Sequence, residues 1–358
     1  MSYGCQNMVF ANYGPKWKLM RKLSSVHLLG ARAVADWAGV RRDEAGRALR
    51  AVLEAAEADR PVVVPEMLVC ALANIVGRIT VSKRVFDAQG DESNTYKEMI
   101  VSLLTGTGLF NISDFVPALS WLDLQGVQAK LRRIHIQFDG LVTKLLAEHA
   151  ATAEDRLREG RLDFVDKLRA INDEEGREII TEVNIKGLIT DMFTAGTDTS
   201  SIIVEWAMAE MMKSPSIMAH AQEEMDRVIG RDRRLEESDI ANLPYLQAIC
   251  KEAMRLHPST PLSLPHFSFE ECEYFLGMLV HAFEWRLPDG EDKVDMAETF
   301  GLALPKTVPL KAVVKPRLVL EAFWEFRKGI LNKYPKKFGQ YFESMKGSRK
   351  LPKISGRV

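Results

Sequence analysis

The sequence predicts a mainly α-helical protein with small β-sheets. Three observations carry this. Apolar residues recur at helical spacing along most of the 358-residue chain. The most apolar long segment, residues 183–212, has polar ends and reads as a helix buried through the middle of a large domain. Strand-like runs are short and interrupted by proline, at residues 62–64 and 300–318, so the sheets must be small.

Taken in order, residues 17–29 carry apolar and basic side chains at helical spacing. Residues 31–59 read as one long Ala- and Arg-rich helix, stopped by Arg60 and Pro61. Val62, Val63 and Val64 form a candidate edge strand before Pro65, and residues 67–81 return to helix. Gly, Asn, Ser and Pro mark residues 106–117 as a connection, and residues 122–151 suit one long helix. The apolar helix of residues 183–212 is stopped by Lys213, Ser214 and Pro215. A shorter amphipathic helix follows over residues 215–229 and closes at Gly230. Ser238 to Ile240, then Leu243 and Pro244, begin a helix that runs to His257 and Pro258. Pro258, Pro261 and Pro265 make the next stretch extended. Residues 274–283 read as a short helix, and residues 300–318 as short strands broken by Pro305, Pro309 and Pro316. From residue 320 the character changes. Ten basic and three acidic residues make a tail of net charge +7, which reads as a solvated, disordered segment.

The composition, 46% hydrophobic and 27% charged, supplies enough apolar material for a large core. The formal net charge of −1 provides no global field for nucleic acid, so no nucleic-acid partner is expected. Four widely spaced cysteines, Cys5, Cys70, Cys250 and Cys272, form no Cys-x-x-Cys pair, which argues against a zinc or dithiol site. No uninterrupted apolar run is long enough to span a bilayer, and no transmembrane anchor is expected in this chain.

The strongest local signal is Ala195-Gly196-Thr197-Asp198-Thr199-Ser200, inside the most apolar helix. An unpaired polar group there costs on the order of 1–3 kcal/mol, and glycine weakens the helix further. Several unfavourable choices in one place suggest a notch made for a ligand. The Thr199 hydroxyl can bond back one turn and open the backbone, leaving room for a water that passes protons with Asp198. A kink or a helix–helix polar contact explains the same residues without a ligand. Glu252 and Arg255, at i and i+3, meet on one helix face. That spacing recurs at Glu44/Arg47 and Glu224/Arg227, so only its setting before Leu256-His257-Pro258 sets it apart. Trp17 and Arg21 place an indole N–H and a guanidinium together, a pair able to hold a carboxylate. Trp37/Arg41 repeats the spacing.

In this order and spacing, the three signals resemble the helix C, helix I and helix K signatures of the cytochromes P-450. Residues 9–273 read continuously like that family, and the wording is most similar to plant flavonoid 3′-hydroxylases. The resemblance implies a cytochrome P-450 fold, partial here because the N-terminal part and the cysteine-ligand loop are missing. Trp17 and Arg21 would contact a haem propionate, with His266 as a second contact. Ala195 and Gly196 would give oxygen room, while Asp198 and Thr199 deliver protons. Glu252 and Arg255 would be a structural lock beneath the haem. Phe193, Leu262, Leu264 and Leu302 would border a pocket for a planar flavonoid. The implied reaction is hydroxylation of the flavonoid B ring at 3′ with O2, using NADPH-derived electrons from a separate cytochrome P-450 reductase. The implied location is the cytosolic face of the endoplasmic reticulum membrane, or the cytoplasm for an anchorless chain.

The resemblance breaks at the iron ligand. A haem-thiolate enzyme needs a deprotonated cysteine on the iron. The family carries it in Phe-x-x-Gly-x-Arg-x-Cys-x-Gly, well beyond helix K, and no such string exists here. Cys272 lies too early and among Glu270, Glu271 and Glu273, which disfavour a thiolate. The chain reads as a partial cytochrome P-450 domain over residues 1–319, with a deletion between Glu273 and Tyr274, followed by the basic tail of residues 320–358. Loss of that segment is expected to leave the apolar floor around Glu252 and Arg255 exposed or unpaired, an uncompensated buried charge being costly. Two readings stay open: a flavonoid hydroxylase described by an incomplete chain, and a non-catalytic remnant or misassembled gene product.

Overall fold

The computed structural model describes residues 3–87, 90–107, 111–116, 121–171, 179–260, 269–299 and 303–319. The first helix, α1 (Pro15–Ser24), starts on proline and passes into a π-helical turn, Ser25–Leu29. The expected 31–59 helix is two helices, α2 (Ala31–Asp36) and α3 (Ala38–Glu57). They meet at Trp37, whose φ of −93° and ψ of 3° end one ladder and begin the next. β1 is only Val62–Val63, because Val64 and Pro65 open α4 (Val64–Val81). Proline suits that first turn, where its missing N–H would go unpaired anyway.

α5 (Asp91–Thr107) and the single turn α6 (Ile112–Phe115) precede α7 (Val127–Ala150). α7 starts five residues later than expected. Gly126 is left-handed at φ +66°, and the Asp123 carboxylate takes the N–H groups of Gln128 and Ala129, so the preceding residues form the cap instead. α8 (Ala153–Glu159) and α9 (Phe164–Arg169) follow, the latter opened by a capping box between Asp163 and Asp166.

The long apolar helix is α10 (Glu182–Lys213), capped by Thr181 and Asn184 and stopped by Ser214 and Pro215. α11 (Pro215–Val228), a 3-10 turn (Glu237–Asn242) and α12 (Pro244–Leu256) come next. The buried Glu224 carboxylate accepts the N–H groups of Tyr245 and Leu246 and so closes the start of α12. α13 (Phe269–Ala282) begins five residues before the expected Tyr274 and runs unbroken through Glu273 and Tyr274. Tyr274, Phe275 and Leu276 are buried in the core. Phe283, expected to end that helix, instead starts β2 (Phe283–Arg286). β3 (Lys311–Pro316) pairs antiparallel with both other strands, in the order β1-β3-β2. β1 therefore lies at a sheet edge. The rest of the 300–318 stretch contributes one bridge, Glu298 with Lys306.

The apolar core is two clusters that share α4 and α10. One gathers α1, α4, α5, α7, α9 and the first half of α10, ending at Phe193. The other gathers α3, α4, the second half of α10 from Ile202, α11 to α13 and the strands. α10 contributes no core side chain to either cluster between Phe193 and Ile202. The Ala-Gly-Thr-Asp-Thr motif therefore falls at the seam between two cores. α4 is long and apolar enough to cross a membrane by composition, but most of it is buried between those clusters.

Candidate functional site

At the seam, α10 presents small and polar side chains. Ala195 is exposed in the middle of α10, where its neighbours are buried or half-buried, and Asp198 and Thr199 are buried. The Thr199 hydroxyl donates to the Ala195 carbonyl at 2.5 Å, and Thr197 donates to the Phe193 carbonyl at 2.6 Å. Both bonds tie side chains back one helical turn. A Cβ on Gly196 would come within 3.3 Å of Val76 Cγ2 on α4. Its missing side chain thus serves the close approach of two helices, which the expected oxygen room did not include.

Asp198 is the outlier of the notch. Its Oδ2 is buried and accepts no hydrogen bond. Burial pushes the carboxyl up to about 6, with Lys97 pulling weakly the other way. A carboxyl near neutral pH in a partly open notch can both hold and release a proton.

The other expected site residues are scattered. Phe193 does not border the notch. It is 1% exposed and packs edge-on to Tyr96 and Phe138, because it lies two residues, about 200° of helix, from Ala195. Trp17 gives its indole N–H to the Met8 carbonyl at 3.1 Å, so that donor is already committed. Arg21 stacks over the Trp17 ring at 5.9 Å. His266, Leu262, Leu264, Leu302 and the basic tail lie outside the described residues.

Glu252 and Arg255 bond each other through two contacts of 2.7 and 2.8 Å, with side chains 55% and 67% exposed. Of the two expected outcomes, exposed or unpaired, the pair shows the first: it is exposed, and each residue neutralises the other in water. Glu252→Ala should therefore move the melting temperature by less than about 2 °C in thermal denaturation of this chain. A large loss would show that the pair already acts as a lock.

Sequence reasoning passed over two further acids of α10. Glu205 is 3% exposed, accepts the Leu310 N–H at 2.8 Å, and is pushed up to about 7 by burial. Asp191 is equally buried and accepts three N–H groups from residues 7–9. Both carried the signal that exposed Asp198, an acid inside an apolar helix.

His257 is a hydrogen-bonded structural group. Its ring stacks on Trp206 at 4.0 Å between Glu210 and Glu298. Among the described residues one group has metal-like spacing: His149, Asp163 and Asp166. The Arg156 guanidinium holds Asp166 through two bonds, while Ser82 and His149 take Asp163, so these donors are already spent on an ion-pair network.

A haem-thiolate centre does not fit this donor set. Cys70 and Cys250 are buried in α4 and α12, and burial pushes the Cys70 thiol up, away from thiolate. Cys5 is exposed near the start of the chain, and Cys272 lies within α13.

The profile of the family Cytochrome P450 matches residues 2–274. The chain belongs to the cytochrome P450 family. Within it, the chain is of the plant flavonoid hydroxylase type. It is 44% identical to a flavonoid 3′,5′-hydroxylase of Eustoma exaltatum subsp. russellianum, over 90% of this chain and 78% of that protein. It is 42% identical to flavonoid 3′,5′-hydroxylase 2 of Petunia hybrida, over 90% and 78%. To the flavonoid 3′-monooxygenase of Arabidopsis thaliana it is 35% identical, over 89% and 77%. Identity is thus higher to these 3′,5′-hydroxylases than to the 3′-enzyme that the motif wording had favoured. The Eustoma match spans 398 aligned positions but uses 90% of 358 residues, about 322. About 76 aligned positions therefore have no residue in this chain. Because about 322 residues exceed the stretch 2–274, similarity to the relatives continues beyond the end of the family match.

Proposed function

We propose that this chain is a flavonoid B-ring hydroxylase that keeps the α10 side of its site and lacks the thiolate side. On this reading it does not hydroxylate flavonoids unaided, and no oxygen-activating step is assigned to it. One observation carries the proposal: the sequence has no Phe-x-x-Gly-x-Arg-x-Cys-x-Gly string, although its relatives are flavonoid hydroxylases, and the described cysteines Cys5, Cys70 and Cys250 do not replace it. The end of the family match at Tyr274 supports the reading of a loss between Glu273 and Tyr274, and the about 76 unmatched positions support its size.

In the intact activity, Asp198 and Thr199 would move protons at the α10 notch, and Ala195 and Gly196 would leave room for oxygen. Trp17, Arg21 and His266 would hold haem propionates, and Glu252 and Arg255 would lock the floor beneath. The substrate would be a flavonoid hydroxylated at 3′, against Leu262, Leu264 and Leu302. Electrons would come from NADPH through a separate reductase, at the cytosolic face of the endoplasmic reticulum.

The size of the gap favours a second reading, in which a transcript encodes the missing segment and a complete enzyme. Sequencing transcripts across Glu273 and Tyr274 separates the two. For this chain, incubation with haem, reductase, NADPH and naringenin should yield no 3′-hydroxylated product. Product formation would overturn the proposal.

A further inference from the structure

The segment before α1 lies across the first half of α10 and is held there by groups that the site description leaves unused. Asn184, Gly187 and Asp191 share one face of α10 at i, i+3 and i+7. Asn184 gives its amide to the Gln6 carbonyl at 2.9 Å and to Gln6 Oε1 at 3.2 Å. Gly187 lets the chain come close, since a Cβ there would meet Asn7 Cβ, Cα and N at 3.0–3.3 Å. Asp191 Oδ1 accepts the Asn7 amide at 2.6 Å. Its Oδ2 accepts the Met8 and Val9 N–H groups at 2.8 and 3.1 Å. Asp191 and Asn7 are 3% and 2% exposed, so these bonds are sheltered from water.

The contacts continue past the strap. The Met8 carbonyl takes the Trp17 indole N–H, and Arg21 stacks over that ring. Asp191 sits one helical turn before Ala195, where the notch opens.

We infer that Asp191 is a positioning residue that latches residues 6–9 across α10 and, through Met8, sets Trp17 and Arg21 relative to the notch. A carboxylate is suited to this because it accepts from several donors at once, and charge-assisted bonds are the stronger kind. The small Gly187 alone would allow contact but not registration. The strap fixes the distance between the basic α1 and the α10 notch, whatever occupies the space between them. The assignment concerns the chain's own contacts and does not depend on haem binding.

The test is hydrogen exchange of the full-length chain, read at residues 6–13 and at residues 202–211, together with tryptophan emission. Asp191→Ala should speed exchange of the Met8 and Val9 amides at least tenfold, leave residues 202–211 within twofold, and shift the emission to the red. That shift should vanish in a Trp17→Phe background. The reciprocal pair Asn7→Asp with Asp191→Asn keeps one amide and one carboxylate facing each other, and the amide oxygen introduced on α10 is left to accept from Met8 and Val9. It should restore both exchange and emission to within twofold of the original. Unchanged exchange at Met8 and Val9 in Asp191→Ala, or no rescue by the exchanged pair, would overturn the assignment. If Asp191→Ala speeds residues 202–211 equally, the chain has unfolded and Gly187→Ala decides. Its added methyl lifts the strap without touching a charge, and exchange at Met8 and Val9 should rise at least threefold. Full protection in that variant would overturn the assignment.

Discussion

Replacing Asp198 by asparagine is expected to stabilise the chain progressively as pH rises. The advantage over the parent should grow by roughly 2–3 kcal/mol between pH 4 and pH 8, since burial lifts the carboxyl from 3.8 to about 6. The sign follows from proton counting. Between those two values the folded chain holds a proton that the unfolded chain has released, so stability falls as pH rises through the window. Above about pH 7 the full cost of a buried, unpartnered carboxylate is present. Well below 3.8 both states are neutral and the cost disappears. Asparagine is never charged, so it escapes the pH-dependent part. Its amide stays unpartnered at every pH, and taking the difference between two pH values removes that constant. Chemical denaturation of both proteins at pH 4, 6 and 8 checks this. A constant difference across pH would mean that Asp198 finds a charge partner or water that the geometry lacks. The same carboxyl is a liability in the fold, and under the proposed function it is the group that would move a proton at the notch.

The second large effect is expected from restoring what the alignment lacks. Inserting between Glu273 and Tyr274, where the family match ends, a segment of the Eustoma relative as long as the shortfall of about 76 aligned positions should change the behaviour of α12. In the present chain Glu252 and Arg255 pair in water on an exposed face. In the grafted chain the new segment would cover that face and turn the pair into a buried one. Removing one member of a buried pair leaves an uncompensated charge. Glu252→Ala should then lower the melting temperature by roughly 6 °C or more, against less than about 2 °C without the graft. A graft that folds yet leaves Glu252→Ala neutral would show that the segment packs elsewhere. α13 bears on the result as well. It runs unbroken through the junction, with Tyr274, Phe275 and Leu276 already in the core, so the graft must lengthen the chain before them without displacing them.

Much of the architecture could be read from local chemistry. α10, α11 and α12 begin and end at the caps and prolines that mark them, because those signals act within one turn. The breaks that escaped notice lie elsewhere. Trp37 carries no glycine or proline to announce the join of α2 and α3. The true start of α7 depends on an Asp123 cap that only the folded turn reveals. In the site, Asp198 and Thr199 stood out because polar groups are costly inside an apolar helix. Asp191 and Glu205 carried the same signal, but their partners lie 182–184 and 105 residues away, so their use could not be read locally. Phe193 shows how helix phase separates sequence neighbours. A residue two positions from the notch shares its sequence neighbourhood but not its helix face. The exposure of Glu252 and Arg255 depends on what covers α12, which no property of α12 encodes.

The account stands or falls on the missing sulfur ligand. Its most direct test is the reduced carbon-monoxide difference spectrum of the purified, unaltered chain after addition of haem. The prediction is that no thiolate-type Soret band forms at any haem concentration that saturates binding. A thiolate-type band from this polypeptide alone would contradict the account, because it would require a cysteine ligand in a sequence that lacks the family's ligand string.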